Sequence, residues 1–330
     1  MGLRESVKRM GKMSRRDAHI LGPVQATVGD IDELNRVFSE AFTDRYHRDG
    51  LKGIQVPQLN PEVWGFALAS AQTGAMIWRE PTGGLAAFNI VHLSGVEGWM
   101  GPLAVRPPFQ GLGLGSRIVT EGLQWLRSHG ATQIGLETMP RTVDNIGFYA
   151  GLGFHPGHLT LTMIGSPGPS SGHFLVRALS AGGERFPIMV EECRQLIDGL
   201  APGVDYSREL HLTQEHGLGD TTVLYEKGRC RAFAVWHTVP LARGGEEELR
   251  VLKLVADGFD SFEAVLSGVG MGRGRSGPGR VSVRCQTAFP EAYSALVRSG
   301  FRIHWTDLRM LYGETPERSE RGIVFSNWEI

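Results

Sequence analysis

Three glycines spaced two apart carry the clearest chemical pattern in the chain. In Leu103-Ala-Val-Arg-Pro-Pro-Phe-Gln-Gly-Leu-Gly-Leu-Gly-Ser116, a strand-like run ends at Val105 and Gly111, Gly113 and Gly115 lead into an amphipathic helical run. Such a pattern suits anion binding. The first N–H groups of a helix lack intrahelical acceptors, the helix dipole adds partial positive charge there, and glycine lets a diphosphate lie on the backbone. The Lys-Ser/Thr ending of a nucleotide-triphosphate loop is absent, which excludes its γ-phosphate lysine and metal-binding hydroxyl. A true G-x-G-x-x-G match at Gly272, Gly274 and Gly277 follows a helix and precedes a strand, the wrong setting for a dinucleotide, and reads as a loop.

A second cluster, Asn145-Ile-Gly-Phe-Tyr-Ala-Gly-Leu-Gly-Phe154, follows the glycine ladder by about 35 residues. Glu137 precedes it in an apolar strand-like run, where a carboxylate is costly unless it is paired or solvated in a cleft.

Together the two segments resemble the GNAT superfamily of N-acetyltransferases. Gln110-Gly-Leu-Gly-Leu-Gly115 is similar to its pyrophosphate motif for acetyl-CoA, and the second cluster is similar to its closing motif, with an aromatic pair before Leu-Gly-Phe. The resemblance covers about Trp99 to Met163. It departs where many members carry Asn seven residues before the Tyr; this chain has Thr142 there and Asn145 four before. The resemblance implies acetyl-CoA as co-substrate, without a metal, held by Leu103, Ala104, Val105, Gln110, Gly111, Leu112, Gly113, Leu114, Gly115, Ser116, Asn145 and Phe148.

The implied reaction is acyl transfer from a thioester to an amine, in which the attacking nitrogen must lose its proton, the thiolate gain one, and the carbonyl oxygen find a donor. By resemblance, Tyr149 is the acid for the thiolate and the Val105 N–H the oxyanion donor; the alternative for Tyr149 is an amphipathic helix residue with a bonded hydroxyl. Glu137 stands twelve residues before Tyr149, a spacing found in members that acetylate protein N-termini, where the Glu is the base. A structural ion pair fits Glu137 equally. Arg141 and Thr43-Asp-Arg-Tyr-His47 either border the acceptor pocket or, the commoner case, are exposed loop charge, and they are not counted as site residues.

These groups need a mixed α/β frame. The first half reads as a strand at 24–28, a helix at 31–42, strands at 75–78, 85–93, 99–105 and 133–138, a helix ending at Gly130, a short helix at 145–152 capped by Asn145, and a closing strand at 159–163. The expected fold is α/β with a mixed sheet, as two tandem GNAT-like acyl-CoA N-acyltransferase domains. The run Gly165-Ser-Pro-Gly-Pro-Ser-Ser-Gly172 reads as a linker. The expected organisation is a flexible basic leader at 1–19, a catalytic domain at 20–165, a linker at 166–172 and a degenerate copy at 173–330.

Internal similarity supports a duplication. Gly153-Phe154, Leu161 and Met163 match Gly300-Phe301, Leu308 and Met310 at one offset of 147 residues, and a helix at 187–200 and strands at 221–225, 231–238 and 249–255 recur in order. The second copy reads as silent. Its counterpart of the glycine ladder carries Asp257, Asp260 and Glu263, which repel a diphosphate, and Leu296 stands where Tyr149 would be.

Composition narrows the partners. Charged residues make up 21% of the chain and the net charge is −1, so nothing draws the chain as a whole to nucleic acid or anionic membrane. No stretch is apolar enough to span a bilayer. Arg4, Lys8, Arg9, Lys12, Arg15 and Arg16 form a basic tail without the apolar core of a secretory signal, read as a disordered leader. Cys193, Cys230 and Cys285 form no CxxC pair and read as reduced cytoplasmic thiols. His155 and His158 flank a Pro-Gly turn and His211 and His216 a polar loop, neither with zinc-site partners. The expectation is a cytoplasmic enzyme, monomer or homodimer, acetylating a primary amine of a small metabolite. The alternatives are an acyl-CoA-binding sensor or scaffold, and a transferase acting on a protein or peptide amine.

Overall fold

Local chemistry sets the elements that frame the site. A computed structural model describes residues 20–168, 174–245, 248–269, 280–313 and 321–328. Leu34, Val37 and Ala41 recur at helical spacing and are buried in α1 (Ile31–Arg48). The Asn60 side chain accepts from the Glu62 N–H at 3.1 Å and Pro61 has no N–H to leave orphaned, so α2 (Pro61–Ala71) starts there. Ile118, Val119, Leu123 and Leu126 give α3 (Leu114–Ser128) its buried face, and α4 (Val143–Gly151) follows. The strands of this half are β1 (Leu21–Gln25), β2 (Ala75–Arg79), β3 (Leu85–Ser94), β4 (Glu97–Val105), β5 (Gln133–Thr138) and β6 (Phe154–Gly165). The second half contains β7 (Leu175–Ala178), α5 (Phe186–Leu200), α6 (Ser207–Glu215), β8 (Gly219–Glu226), β9 (Arg229–His237), β10 (Leu249–Ala256), α7 (Phe259–Gly268), β11 (Val281–Gln286), α8 (Pro290–Arg298), β12 (Arg302–Tyr312) and β13 (Ile323–Ser326).

Three local expectations shift. The first helix runs six residues past Phe42, because Arg45 and Arg48 pair with Asp49 and Asp44 at helical spacing and carry the polar run on as helix. Thr142, not Asn145, stands at the N-cap of α4. His211 lies inside α6, whose buried Glu209, Leu210 and Thr213 share one helical face, rather than in a loop. The basic leader, most of the linker after Gly168 and the Gly272–Gly277 motif fall outside the described residues.

Among those residues thirteen strands form one mixed sheet in the order β1-β2-β3-β4-β5-β12-β6-β11-β10-β9-β8-β7, with β13 on β10. Each half has exchanged its last long strand. β12 from the second half pairs with β5, and β6 from the first pairs with β11, while β6 and β12 pair with each other. Thr160 faces Asp307 across that central pair, and these positions are related by the 147-residue offset. A pseudo-twofold relation therefore passes between them. Gly153 and Gly300, at the same offset, adopt φ of +93° and +86°, so both copies use a left-handed glycine to leave a helix for the exchanged strand.

Helices cover both faces of each half. Trp64 and Phe88 lie in the core under α1 and α2, and Ile118 and Leu126 in the core under α3 and α4. Phe233 and Phe262 lie in the two corresponding cores of the second half. Cys193 and Cys285 are buried and unbridged, and Cys230 is half-buried. Among the described residues no helix is long and apolar enough to cross a membrane, and no group of three His, Cys, Asp or Glu side chains is placed to hold a metal.

Candidate active site

The glycine ladder leaves its backbone bare at the start of α3. Gly113 is the N-cap of α3 at φ +85° and Gly111 has φ +72°, and a Cβ on either would point into open space. A diphosphate therefore has room against the backbone at the positive end of a 15-residue helix. A Cβ on Gly115 would meet the Phe148 ring at 3.4 Å, so the third glycine serves contact with α4. Leu114 turns its buried side chain into the core, while Leu112 is exposed and Ser116 is half-buried. Gln110 donates from Nε2 to the Val105 carbonyl at 2.8 Å and ties the loop to the end of β4.

Next to the start of α3, β4 has a free edge. β4 pairs with β5 only from Glu97 to Met100, after which Gly101 and Pro102 follow, and proline brings no N–H to a ladder. The Arg106 N–H donates to Ala86 on the β3 side, so strand alternation turns Ala104 toward β3 and the amides of Leu103 and Val105 toward the open edge. These amides could bind an extended arm in strand fashion.

The equivalent edge in the second half is filled by the chain itself. β10 pairs with β11 at Leu249–Val251, and beyond that Lys253–Ala256 pair with β13. Ser326, Phe325, Val324 and Ile323 take the ladder positions that a ligand would need. Gly258 caps α7 without a glycine ladder, and Asp257 pairs with Arg231 at 2.6 Å.

Where β4 and β5 part, a cavity of about 290 Å³ opens, built by both halves. Phe38, Phe42, Arg45 and Tyr46 come from α1, Leu103 from β4, Glu137 from β5, and Asn145 and Tyr149 from α4. The second half contributes Leu241, Trp305, Asp307 and Trp328. Arg45 and Tyr46, for which exposed loop charge was the commoner expectation, instead line this cavity because α1 continues through them. Arg141 instead donates to the Asp49 carbonyl at 2.8 Å.

Tyr149 is buried, and burial alone raises its phenol well above the ordinary value, which keeps the proton on oxygen. Asn145 reaches Thr138 Oγ1 at 3.5 Å, and the Thr142 hydroxyl donates to Asp49 at 2.6 Å. Thr142 therefore orders the start of α4 rather than facing the cavity.

Glu137 is in a different situation from the one its spacing implies. Its two oxygens accept from Arg309 at 3.0 Å, Thr160 at 2.5 Å and Arg284 at 2.5 Å. Burial pushes its carboxyl up, but the two guanidiniums and the Thr160 hydroxyl outweigh it and hold it below the usual range. A carboxylate so engaged is a weak proton acceptor. Sequence reasoning could not supply its partners, since Arg284 and Arg309 arrive from the other half on β11 and β12.

Asp307, Trp305 and Trp328 were not anticipated. Asp307 accepts from Trp305 Nε1 at 3.1 Å and from Arg284 at 3.0 Å, and Arg309 lies 3.9 Å over the Trp328 ring. Trp305 and Asp307 occupy alternate positions of one strand, a hint that they share a face, but nothing local shows which half that face serves.

Comparison with known proteins agrees with this geometry. Residues 32–154 match the acetyltransferase (GNAT) family. No curated protein matches the chain. A candidate acetyltransferase from Pyrococcus horikoshii is similar over 94% of this chain and 95% of its own, at 14% identity and a TM-score of 0.66. A tandem GNAT protein of the clavulanic acid biosynthesis pathway is similar over 91% and 99%, at 11% identity and a TM-score of 0.57. A GCN5-related N-acetyltransferase from Sphaerobacter thermophilus is similar over 90% and 96%, at 16% identity and a TM-score of 0.55. The fold is similar to that of a tandem GNAT protein, and the stretch that matches the family lies in the first half.

Proposed function

From a GNAT-family domain at residues 32–154 set in a tandem-GNAT fold, we propose an acetyl-CoA-dependent N-acetyltransferase that moves an acetyl group directly to a primary amine of a small metabolite. The first half does the work. One observation carries this reading: the β4 edge is open between a glycine cradle and the Tyr149 cavity, whereas the matching β10 edge is closed by β13.

The residues fit the co-substrate. Gly111, Gly113 and the first amides of α3 would hold its diphosphate, and the Leu103 amide its extended arm, leaving the Val105 N–H for the thioester carbonyl. The bound thioester supplies an activated acetyl group. Tyr149, kept protonated by burial, donates to the departing sulfur, and the Val105 N–H accommodates charge on the carbonyl oxygen. Glu137 acts as a fixed anion that orders Arg284 and Arg309 rather than as the base. The cavity volume suits a small amine.

Calorimetry with CoA, together with thiol release across a panel of amines, tests the proposal. Tight CoA binding with amine-dependent thiol release is expected. CoA binding without thiol release from any amine would mark a sensor or scaffold, and release only with peptide amines would move the acceptor to protein.

A further inference from the structure

The acceptor side of the cavity contains a carboxylate that the reaction above does not use. Asp307 lies on β12, the strand the second half lends to the first, and its side chain is almost fully buried while lining the cavity. Its oxygens are oriented by one N–H each, from Trp305 and Arg284, and a carboxylate oxygen has room for a second donor. Resting on the reading of this cavity as the amine site, we propose that Asp307 receives the acceptor's ammonium and takes its proton, and that the surrounding rings select an amine carried on a flat, apolar body.

The neighbours support this assignment. Glu137 already satisfies two guanidiniums, whereas Asp307 shares only one of them, Arg284. The charged and titratable groups around it are Glu137 on β5, Arg284 on β11, Arg309 on β12, Arg45 and Tyr46 on α1, and Tyr149 on α4. Burial raises the Asp307 carboxyl, Arg284 opposes the shift and Glu137 adds to it, leaving a carboxylate more basic than an exposed one. Arg45 is already paired with Asp49 and Asp144 and does not compete for it.

The repeat supplies an independent argument. At the 147-residue offset, Trp305 and Asp307 correspond to His158 and Thr160 on β6, the strand lent to the closed half. The acid and the large ring therefore stand only on the strand that serves the open site. Tyr46 faces Trp305 with ring centroids 6.2 Å apart and planes 29° apart, and Phe38 and Phe42 continue the aromatic wall. Such walls favour stacking and apolar contact over a heavily hydroxylated or polycationic acceptor.

The proton balance closes. Asp307 takes one proton from the ammonium and later releases it to solvent. The nitrogen lone pair then forms the C–N bond as the C–S bond breaks. Tyr149 gives its proton to sulfur and is reprotonated by the remaining surplus proton on nitrogen.

The test compares phenethylamine, glucosamine and spermidine as acceptors for the full chain. Phenethylamine is expected to lead in kcat/KM by about tenfold or more, the worth of roughly one well-filled hydrophobic contact. Asp307→Asn should lower kcat/KM about 100-fold near pH 7 and recover as rising pH deprotonates the amine in solution. Trp305→Phe, which removes the N–H donor to Asp307 and trims the ring, should move the acid limb of the pH–rate profile to higher pH, because a lost donor makes the carboxylate more basic. Preference for glucosamine or spermidine overturns the substrate class. An unmoved acid limb in Trp305→Phe, or an unchanged profile in folded Asp307→Asn, overturns the role of Asp307. Absence of CoA binding or of thiol release with every amine instead defeats the acetyltransferase reading itself.

Discussion

Glu137 and Arg284 stand 147 residues apart in the chain and 2.5 Å apart in space. The separation equals the repeat offset, so the two residues occupy the same position in the two copies, one on β5 and one on β11. Opposite charge makes this pseudo-twofold pair an ion pair beside the cavity. Arg309 repeats the logic on β12, where it faces Glu137 across the β5 ladder just as Arg284 faces Thr162 across β6.

Glu137→Gln removes one charge from this buried cluster and leaves two guanidiniums short of an anion. A stability loss of about 3 kcal/mol at neutral pH is expected from breaking such a pair. Because the folded carboxyl lies below its usual value near 4.5, its stabilisation is full above that pH and fades as pH falls through the lowered value. Denaturant melts of both proteins should therefore converge in acid. A constant difference across pH would contradict the ion-pair role.

Tyr149→Phe deletes the buried hydroxyl and nothing else. Single-turnover and steady-state assays should show kcat reduced about 100-fold, with little change in CoA affinity. Retention of kcat within twofold would remove Tyr149 from the chemistry.

Gly113→Ala places a Cβ where the ligand would lie and forces a left-handed residue to φ +85°. Strain of about 1 kcal/mol is expected in the melt. Calorimetry should show CoA affinity falling about tenfold or more, a loss of at least 1.4 kcal/mol. Unchanged affinity would place the diphosphate elsewhere.

Because β13 occupies the β10 edge, calorimetry should return one CoA per chain rather than two. Two equivalent sites would refute the closed second cleft.

Trp328→Ala empties a buried indole from the cavity wall and takes away the ring under Arg309. The expected cost is about 3 kcal/mol in thermal or denaturant unfolding. The enlarged cavity should shift acceptor preference toward bulkier amines in competition assays.

Local residue order was enough to define the glycine-led start of α3 and most of the frame. The alternating glycines before the α3 periodicity, the Phe148-Tyr149 pair and the strand at Gln133–Thr138 depend on backbone freedom, helix periodicity and strand alternation, all written within short windows. The offset linking Gly153 to Gly300 likewise revealed the duplication. The exchange of β6 and β12, the use of β13 as a plug, and the meeting of Asp307, Trp305 and Trp328 with Tyr149 were settled only when the chain folded on itself. Strand patterns tell which faces are apolar but not which edge a strand will join, because ladder hydrogen bonds are made by backbone common to every residue. The spacing of Glu137 hinted at a base for that reason, and its true surroundings came from arginines nearly half a chain away.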